Sequence, residues 1–163
     1  MITQDEQKLY DVLDKLEIKY TRYEHEPVYT VEEVDNLNID IPGQHCKNLF
    51  LRNKKGDTHY LVIADSEKHI DIKSLSKQIG GGNLSFASDE RLLKHLGLKT
   101  GAVSPFGLIN NLEKNVLVLI DRNLTDKSIV NFHPNVNTAT IGVSYADLER
   151  FIKWHENKFQ YID

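Results

Sequence analysis

The stretch KNLFLRNKKGDTHYLVIAD, residues 47–65, decides the fold. Two β-rich runs, KNLFLRN and THYLVIAD, flank a short KKGD connection. That arrangement is the signature of a β-hairpin, with Gly56 as the residue free to take the positive φ that a tight turn needs. A hairpin puts antiparallel strands into the sheet, which argues against a strictly parallel, doubly wound architecture.

Working outward, Thr3 and Glu6 form a capping box, and Leu9, Leu13 and Leu16 follow at helical spacing, so an amphipathic helix is predicted over 3–16. IKYTRYEH, residues 18–25, reads as a strand. Thr30 and Glu33 make a second capping box that opens a shorter helix ending before Pro42. Beyond the hairpin, IKSLSKQI reads as a helix between Asp71 and Ile79, stopped by Gly80, Gly81 and Gly82. LSFAS is a short strand, and ERLLKHLG a helix with Gly97 as its stop. VLVLIDR, residues 116–122, is continuously apolar, as expected of a central strand covered on both faces. TATIGV is read as the last strand. SYADLERFIKWHENK is the last helix, with Leu148, Phe151, Ile152 and His155 along one face.

The 163 residues, 40% of them hydrophobic, suffice for one substantial core, and no Pro/Gly/Ser-rich linker divides them. A single domain over 1–163 is expected. No apolar run approaches the roughly 20 residues that span a bilayer. The start MITQDEQK lacks a signal-peptide pattern, and Cys46 is the lone cysteine, so a cytoplasmic location without membrane association is expected. A net charge of −4 argues against broad nucleic-acid binding, DNA included, but leaves room for a local basic site.

Several chemistries are set aside. The seven His and one Cys lack the spacing that points ligands at one ion, so no metal or other cofactor is expected. GVSYA, residues 142–146, resembles a nucleophile elbow, but Ala146 replaces its second Gly, and Ser144 with Asp147 fits a helix N-cap. Cys46 beside Lys47 invites a thiolate reading; a small buried hydrophobe is the simpler one. The GGG run at 80–82 has neither the Walker Lys nor a dinucleotide spacing.

One stretch resists assignment to an element: GAVSPFGL, residues 101–108, has too little charge for a surface loop and too much Gly and Pro for a helix. Together with CKNLFLRNKKGDTHYLVIA, HEPVYTVEE, LSFASDERLLKHLG, LGLKTGAVSPFGLIN and FHPN, it resembles the YbaK-like family of aminoacyl-tRNA deacylases. That family includes the editing insertion of bacterial prolyl-tRNA synthetases. The likeness runs in order from about His25 to the final helix, and GAVSPFGL looks closest to free-standing members that clear alanine mischarged onto proline tRNA.

The resemblance implies an α+β fold: a mixed, largely antiparallel sheet wrapped by helices in a single compact domain, with the site in a cleft beside the sheet. It implies hydrolysis of the ester joining an amino acid to tRNA, acting on the acceptor end, with prolyl-tRNA synthetase as a possible further partner. Carried over residue by residue, Lys47, Asn48, Gly101, Ser104 with Pro105, and His133 match the family's site, and Thr30 falls in its early Pro-x-x-Thr segment.

The residue types fit that chemistry. An aminoacyl ester is labile, so holding it and directing a water at its carbonyl is largely a positioning task that needs no protein nucleophile. Lys47 is suited to a terminal phosphate, or is a surface Lys. Asn48 offers an amide to ribose or carbonyl, or is a strand-edge residue satisfied by backbone. Strand neighbours face opposite sides, so Lys47 and Asn48 share a site only if the strand twists or bulges. Gly101 permits close backbone approach and Pro105 stiffens the loop; a tight connection under the core is the alternative. His133 is a donor to ribose or acyl carbonyl, or a turn residue held by Pro134. Val28, Phe50 and Phe106 are candidate walls of a small pocket, and Lys47, Arg52, Lys54 and Lys55 a local basic group. Two other classes stay open: a deacylase for cysteinyl or another small aminoacyl ester, and a catalytically silent amino-acid or aminoacyl-tRNA binder.

Overall fold

The computed structural model describes residues 1–30, 32–33, 36–37 and 39–163. Thr3 starts the first helix, α1 (Gln4–Lys15), by accepting the Glu6 N–H at 3.1 Å. Leu9, Tyr10 and Leu13 turn inward from it. β1 (Thr21–Glu24) occupies the middle of the strand expected over 18–25. The helix expected from Thr30 onward runs through residues 31, 34, 35 and 38, which lie outside the described residues. At its start Thr30 Oγ1 accepts the Glu33 N–H at 3.1 Å.

The hairpin joins β2 (Gln44–Asn53) to β3 (His59–Asp65). Gly56 sits at φ +76°, and Asn53 Oδ1 gathers the N–H groups of Gly56, Asp57 and Thr58 at 2.9, 3.1 and 3.2 Å. The Asn side chain thus stands in for the backbone acceptors that the turn lacks. Then follow α2 (Ile72–Ile79), β4 (Leu84–Phe86), α3 (Asp89–Leu96), a 3₁₀ turn over Pro105–Asn110 and β5 (Val116–Asp121). β6 (Ile129–Phe132) and β7 (Ala139–Ser144) lead into α4 (Tyr145–His155), and β8 (Phe159–Ile162) ends the chain. Ser144 is the N-cap of α4, accepting the Asp147 N–H at 3.1 Å. TATIGV is therefore not the last strand. Beside a helix pattern, the four residues of β8 are too few for periodicity to register, and parallel pairing with β5 secures them.

Among the described residues the strands form one eight-stranded sheet, ordered β1-β7-β6-β2-β3-β5-β8, with β4 also on β2. Four of its seven pairings are antiparallel and three parallel, so the sheet is mixed and the class α+β. No helix of the described residues is long and apolar enough to cross a membrane. β3 buries Leu61 and Ile63 with α1, α3, α4 and the 3₁₀ turn, and Tyr60, Val62 and Ala64 with Leu75 of α2. Cover on both faces explains why β3 and β5 read as continuous apolar runs.

The edge of β2 away from β3 is divided. Gln44 and His45 pair with β6, and Leu51, Arg52 and Asn53 with β4. Among the described residues, 46–50 between them have no strand partner on that edge beyond the Ala87 N–H on the Phe50 carbonyl at 2.9 Å, and there the sheet opens.

At the hairpin's other end His59 is buried, its ring 4.0 Å from that of His95 and 5.5 Å from that of Phe50. Arg91 Nη1 lies 3.1 Å from His59 Nε2. A guanidinium only donates, so Nε2 accepts and the ring is neutral. Burial, with the nearby His95 and Arg91, pulls its pKa from 6.5 down to about 4. Because the folded ring titrates below the unfolded one, its stabilisation is complete above pH 6.5 and is lost as the pH falls toward 4. His59→Phe is expected to remove roughly 3 kcal/mol of acid sensitivity across that window. Urea melts of both proteins at pH 7 and pH 4 measure it, and parallel pH profiles would refute it.

Candidate active site

At the opening in the sheet lies a cavity of about 350 Å³. β2 supplies His45 to Asn48, the loop before the 3₁₀ turn supplies Thr100, Gly101 and Val103, and the end of β6 supplies Asn131, Phe132 and His133. Tyr29, Thr30 and Thr140 complete it. Five residues singled out from sequence, Thr30, Lys47, Asn48, Gly101 and His133, are thus brought together.

Lys47 and Asn48 reach the cavity without a bulge. Their pairing with β3 is one-to-one, Lys47 opposite Ala64 and Asn48 opposite Ile63. Both side chains share the site because the cavity sits at an unpaired strand edge, which is accessible from either face of the sheet. Lys47 Nζ donates to the Lys68 carbonyl. The Lys68 ammonium in turn pairs with the buried Asp121 carboxylate at 2.8 Å. Burial pushes the Asp121 carboxyl up, but Lys68 and the Asn123 and Asp65 N–H groups outweigh it and hold the group below its ordinary value. The segment that steadies Lys47 is therefore itself tied to the sheet.

Sequence reasoning missed Asn131. It is buried, and its Nδ2 donates to the Pro42 carbonyl at 3.0 Å. Its Oδ1, like Asn48 Oδ1, is buried without a partner among the described residues. The available signal was an Asn within the apolar IVNF strand.

The loop is held from both ends. Thr100 Oγ1 donates to Asp89 in the first turn of α3 at 2.7 Å, and the Ala102 N–H reaches the Lys99 carbonyl at 3.0 Å. Gly101 has φ +92°, and a Cβ there would lie 2.7 Å from Tyr29 Cδ1. Ser104 is fully buried and does not line the cavity; its Oγ accepts the Phe106 N–H at 3.1 Å and caps the 3₁₀ turn that Pro105 begins.

His133 Nδ1 lies 2.9 Å from the Ala139 carbonyl, which can only accept, so Nδ1 carries the proton. Burial lowers its pKa, and the neighbouring His25 ring, 6.1 Å away, adds to the shift. A neutral ring of this tautomer leaves Nε2 as an acceptor. Donation from His133 to an acyl carbonyl is accordingly replaced by acceptance, from a ribose hydroxyl or an ammonium. Burial pushes the Cys46 thiol up, so Cys46 is protonated and not a nucleophile.

Val28, Phe50 and Phe106 do not line the cavity. Val28 is buried with its N–H on the Asn137 carbonyl, and Phe50 stacks on His59 in the core. Phe106 packs edge-on against Phe132 at 5.8 Å and acts only by supporting that residue. The apolar walls are Tyr29, Val103 and Phe132. Arg52, Lys54 and Lys55 belong to the hairpin end, about 17 Å along the strand from Lys47, so no basic cluster gathers at the cavity.

The site therefore combines one ammonium, the Asn48 and Asn131 side chains, a neutral imidazole and a glycine backbone, with no activated protein nucleophile among the described residues. Residues 25–151 match the family profile described as the aminoacyl-tRNA editing domain. The chain is 50% identical over 151 residues to the prolyl-tRNA editing protein ProX of Acetoanaerobium sticklandii, covering 93% of this chain and 92% of that one. It is 35% identical over 148 residues to prolyl-tRNA synthetase associated domain-containing protein 1 of Danio rerio, covering 90% and 80%. A solved structure described as a candidate trans-editing enzyme for prolyl tRNA synthetase superposes with a TM-score of 0.74 over 100% of this chain and 98% of that one. Its 18% identity makes this a likeness of fold.

Proposed function

The chain belongs to the aminoacyl-tRNA editing domain family, and from that premise we propose that it is a free-standing deacylase that hydrolyses alanine from mischarged proline tRNA. The observation that carries this reading is a cavity furnished to hold an ester and a water but lacking an activated nucleophile. Water adds to the acyl carbon, the ester C–O bond breaks, and the water's proton passes to the leaving ribose oxygen, giving alanine and tRNA. The adjacent ribose hydroxyl relays the proton, and the Gly101 carbonyl accepts a hydrogen bond from the attacking water. Lys47 holds the terminal phosphate as a point charge. Asn48 and the His133 Nε2 lone pair fix the ribose and amino groups, and Thr30 closes the same side. Positioning of this kind supplies much of the barrier reduction for a labile ester.

Alanine is favoured by size. In this reading Val103 and Phe132, which line the cavity, wall a subsite that admits a small side chain and excludes proline, as in a second editing sieve. Purified protein is expected to release alanine from alanyl-tRNA faster than cysteine from cysteinyl-tRNA, and to spare prolyl-tRNA. No release from any of the three would leave a silent binder, and faster cysteine release would reassign the substrate. Lys47→Ala is expected to lower kcat/KM about 10- to 100-fold, the worth of a charged hydrogen bond. Unchanged activity would remove its phosphate role.

A further inference from the structure

We propose that Tyr29 is a stacking platform for the purine base of the tRNA's terminal nucleotide; this rests on the deacylase reading above. Several large apolar or aromatic side chains are exposed, Phe86, Leu93 and Leu112 among them, and single exposures of that kind are ordinary. Tyr29 differs. It is 65% exposed, and among the described residues it is the one exposed large side chain that also lines the cavity.

Its ring is backed by the loop. A Cβ on Gly101 would meet Cδ1 at 2.7 Å and Cε1 at 3.3 Å, so the ring lies directly on the glycine and cannot sink further. The Tyr29 N–H donates to Glu33 Oε2 at 3.0 Å, which fixes the backbone that carries it. An exposed aromatic ring that rests against main chain at the mouth of a cavity is the kind of surface on which an unpaired base stacks. The ester to be cleaved is on the ribose of the last nucleotide, so the base attached to that ribose must lie at the cavity mouth. Tyr29 and Lys47 both line that cavity, and together they take the base and the phosphate of one nucleotide. Stacking reads no base edge, which suits an enzyme presented with the same terminal base on every tRNA.

The test uses an RNA acceptor hairpin whose 3′-terminal base is 2-aminopurine and whose alanine is attached through a non-hydrolysable amide. Stacking on an aromatic ring quenches 2-aminopurine fluorescence. The unmodified protein and Tyr29→Phe are expected to quench it to similar extents. Tyr29→Leu, which keeps apolar volume over Gly101, is expected to abolish the quench and raise Kd about 5- to 150-fold. Binding without quenching, no binding, or a quench retained by Tyr29→Leu would overturn the platform. Release of alanine from alanyl-tRNA, measured in parallel, tests the deacylase reading separately. A Tyr29-dependent quench without alanine release would keep the platform and remove that reading, and release without a quench would do the reverse.

Discussion

Gly101→Ala is expected to cut kcat/KM for ester hydrolysis by about 100-fold or more while leaving the protein folded. Two penalties act at once. The φ of +92° is a conformation that side-chain-bearing residues adopt only at a cost of about 1–3 kcal/mol. The added methyl would also sit 2.7 Å from the Tyr29 ring, well inside van der Waals contact. Loop and ring must then move apart, and a displacement near 1 Å at a positioning group is enough to cost about 100-fold in rate. The loop's outer anchors, Thr100 on Asp89 and Ser104 on Phe106, are untouched, so the thermal melt should fall by about 2–12 °C and remain cooperative. Single-turnover hydrolysis of alanyl-tRNA beside a melting curve gives the answer. Activity within threefold of the unmodified protein would show that the left-handed backbone at Gly101 is not needed.

Arg22→Met is expected to destabilise the fold by about 3–5 kcal/mol, through a carboxylate that does not line the cavity. Glu6 is fully buried in α1; Arg22 Nε donates to its Oε2 at 2.5 Å from β1, and the Tyr10 hydroxyl donates to the same oxygen at 2.5 Å. The Tyr10 pKa is pushed up, by burial first and by Glu6 second, and that of Arg22 is raised by its hydrogen bond to Glu6. Removing the guanidinium leaves a charge in a dry place with one neutral donor. Adding Glu6→Gln to the variant should restore part of the loss, since the charge goes and the hydrogen bond from Tyr10 remains. Urea melts of the single and double variants measure both effects, and a single variant with an unshifted midpoint would refute them.

These two sites show how far the sequence reaches. Thr3 and Glu6 were legible as a capping box, and Thr3 does cap α1, but nothing local marks Glu6 as a buried acid. Its partner lies on β1, and only the packing of that strand beside α1 makes the pair. Gly101 was legible as a backbone-permissive residue, whereas the ring that forbids a Cβ there belongs to Tyr29, in a distant segment. Asn131 on β6 and Phe50 on β2 are misread for one reason: which face a strand residue presents depends on register, and register is a property of pairs of strands. Val28 lies between strands and Phe106 in the 3₁₀ turn, where the packing of the segment on the sheet decides what the side chain lines.

The sequence by itself determined what is local: the hairpin of residues 47–65, the Thr3 and Ser144 caps, the glycine stops and the apolar strand β5. It also determined the family, because the motifs recur in order along the chain. Only the tertiary structure decided that β2 has a divided edge, with β6 along one end and β4 along the other. That gap lets Lys47, Asn48, Gly101, Asn131 and His133 share one cavity. Hydrogen bonds to nearest neighbours write themselves into residue type and spacing, while an absence of pairing between two strands leaves no mark in either.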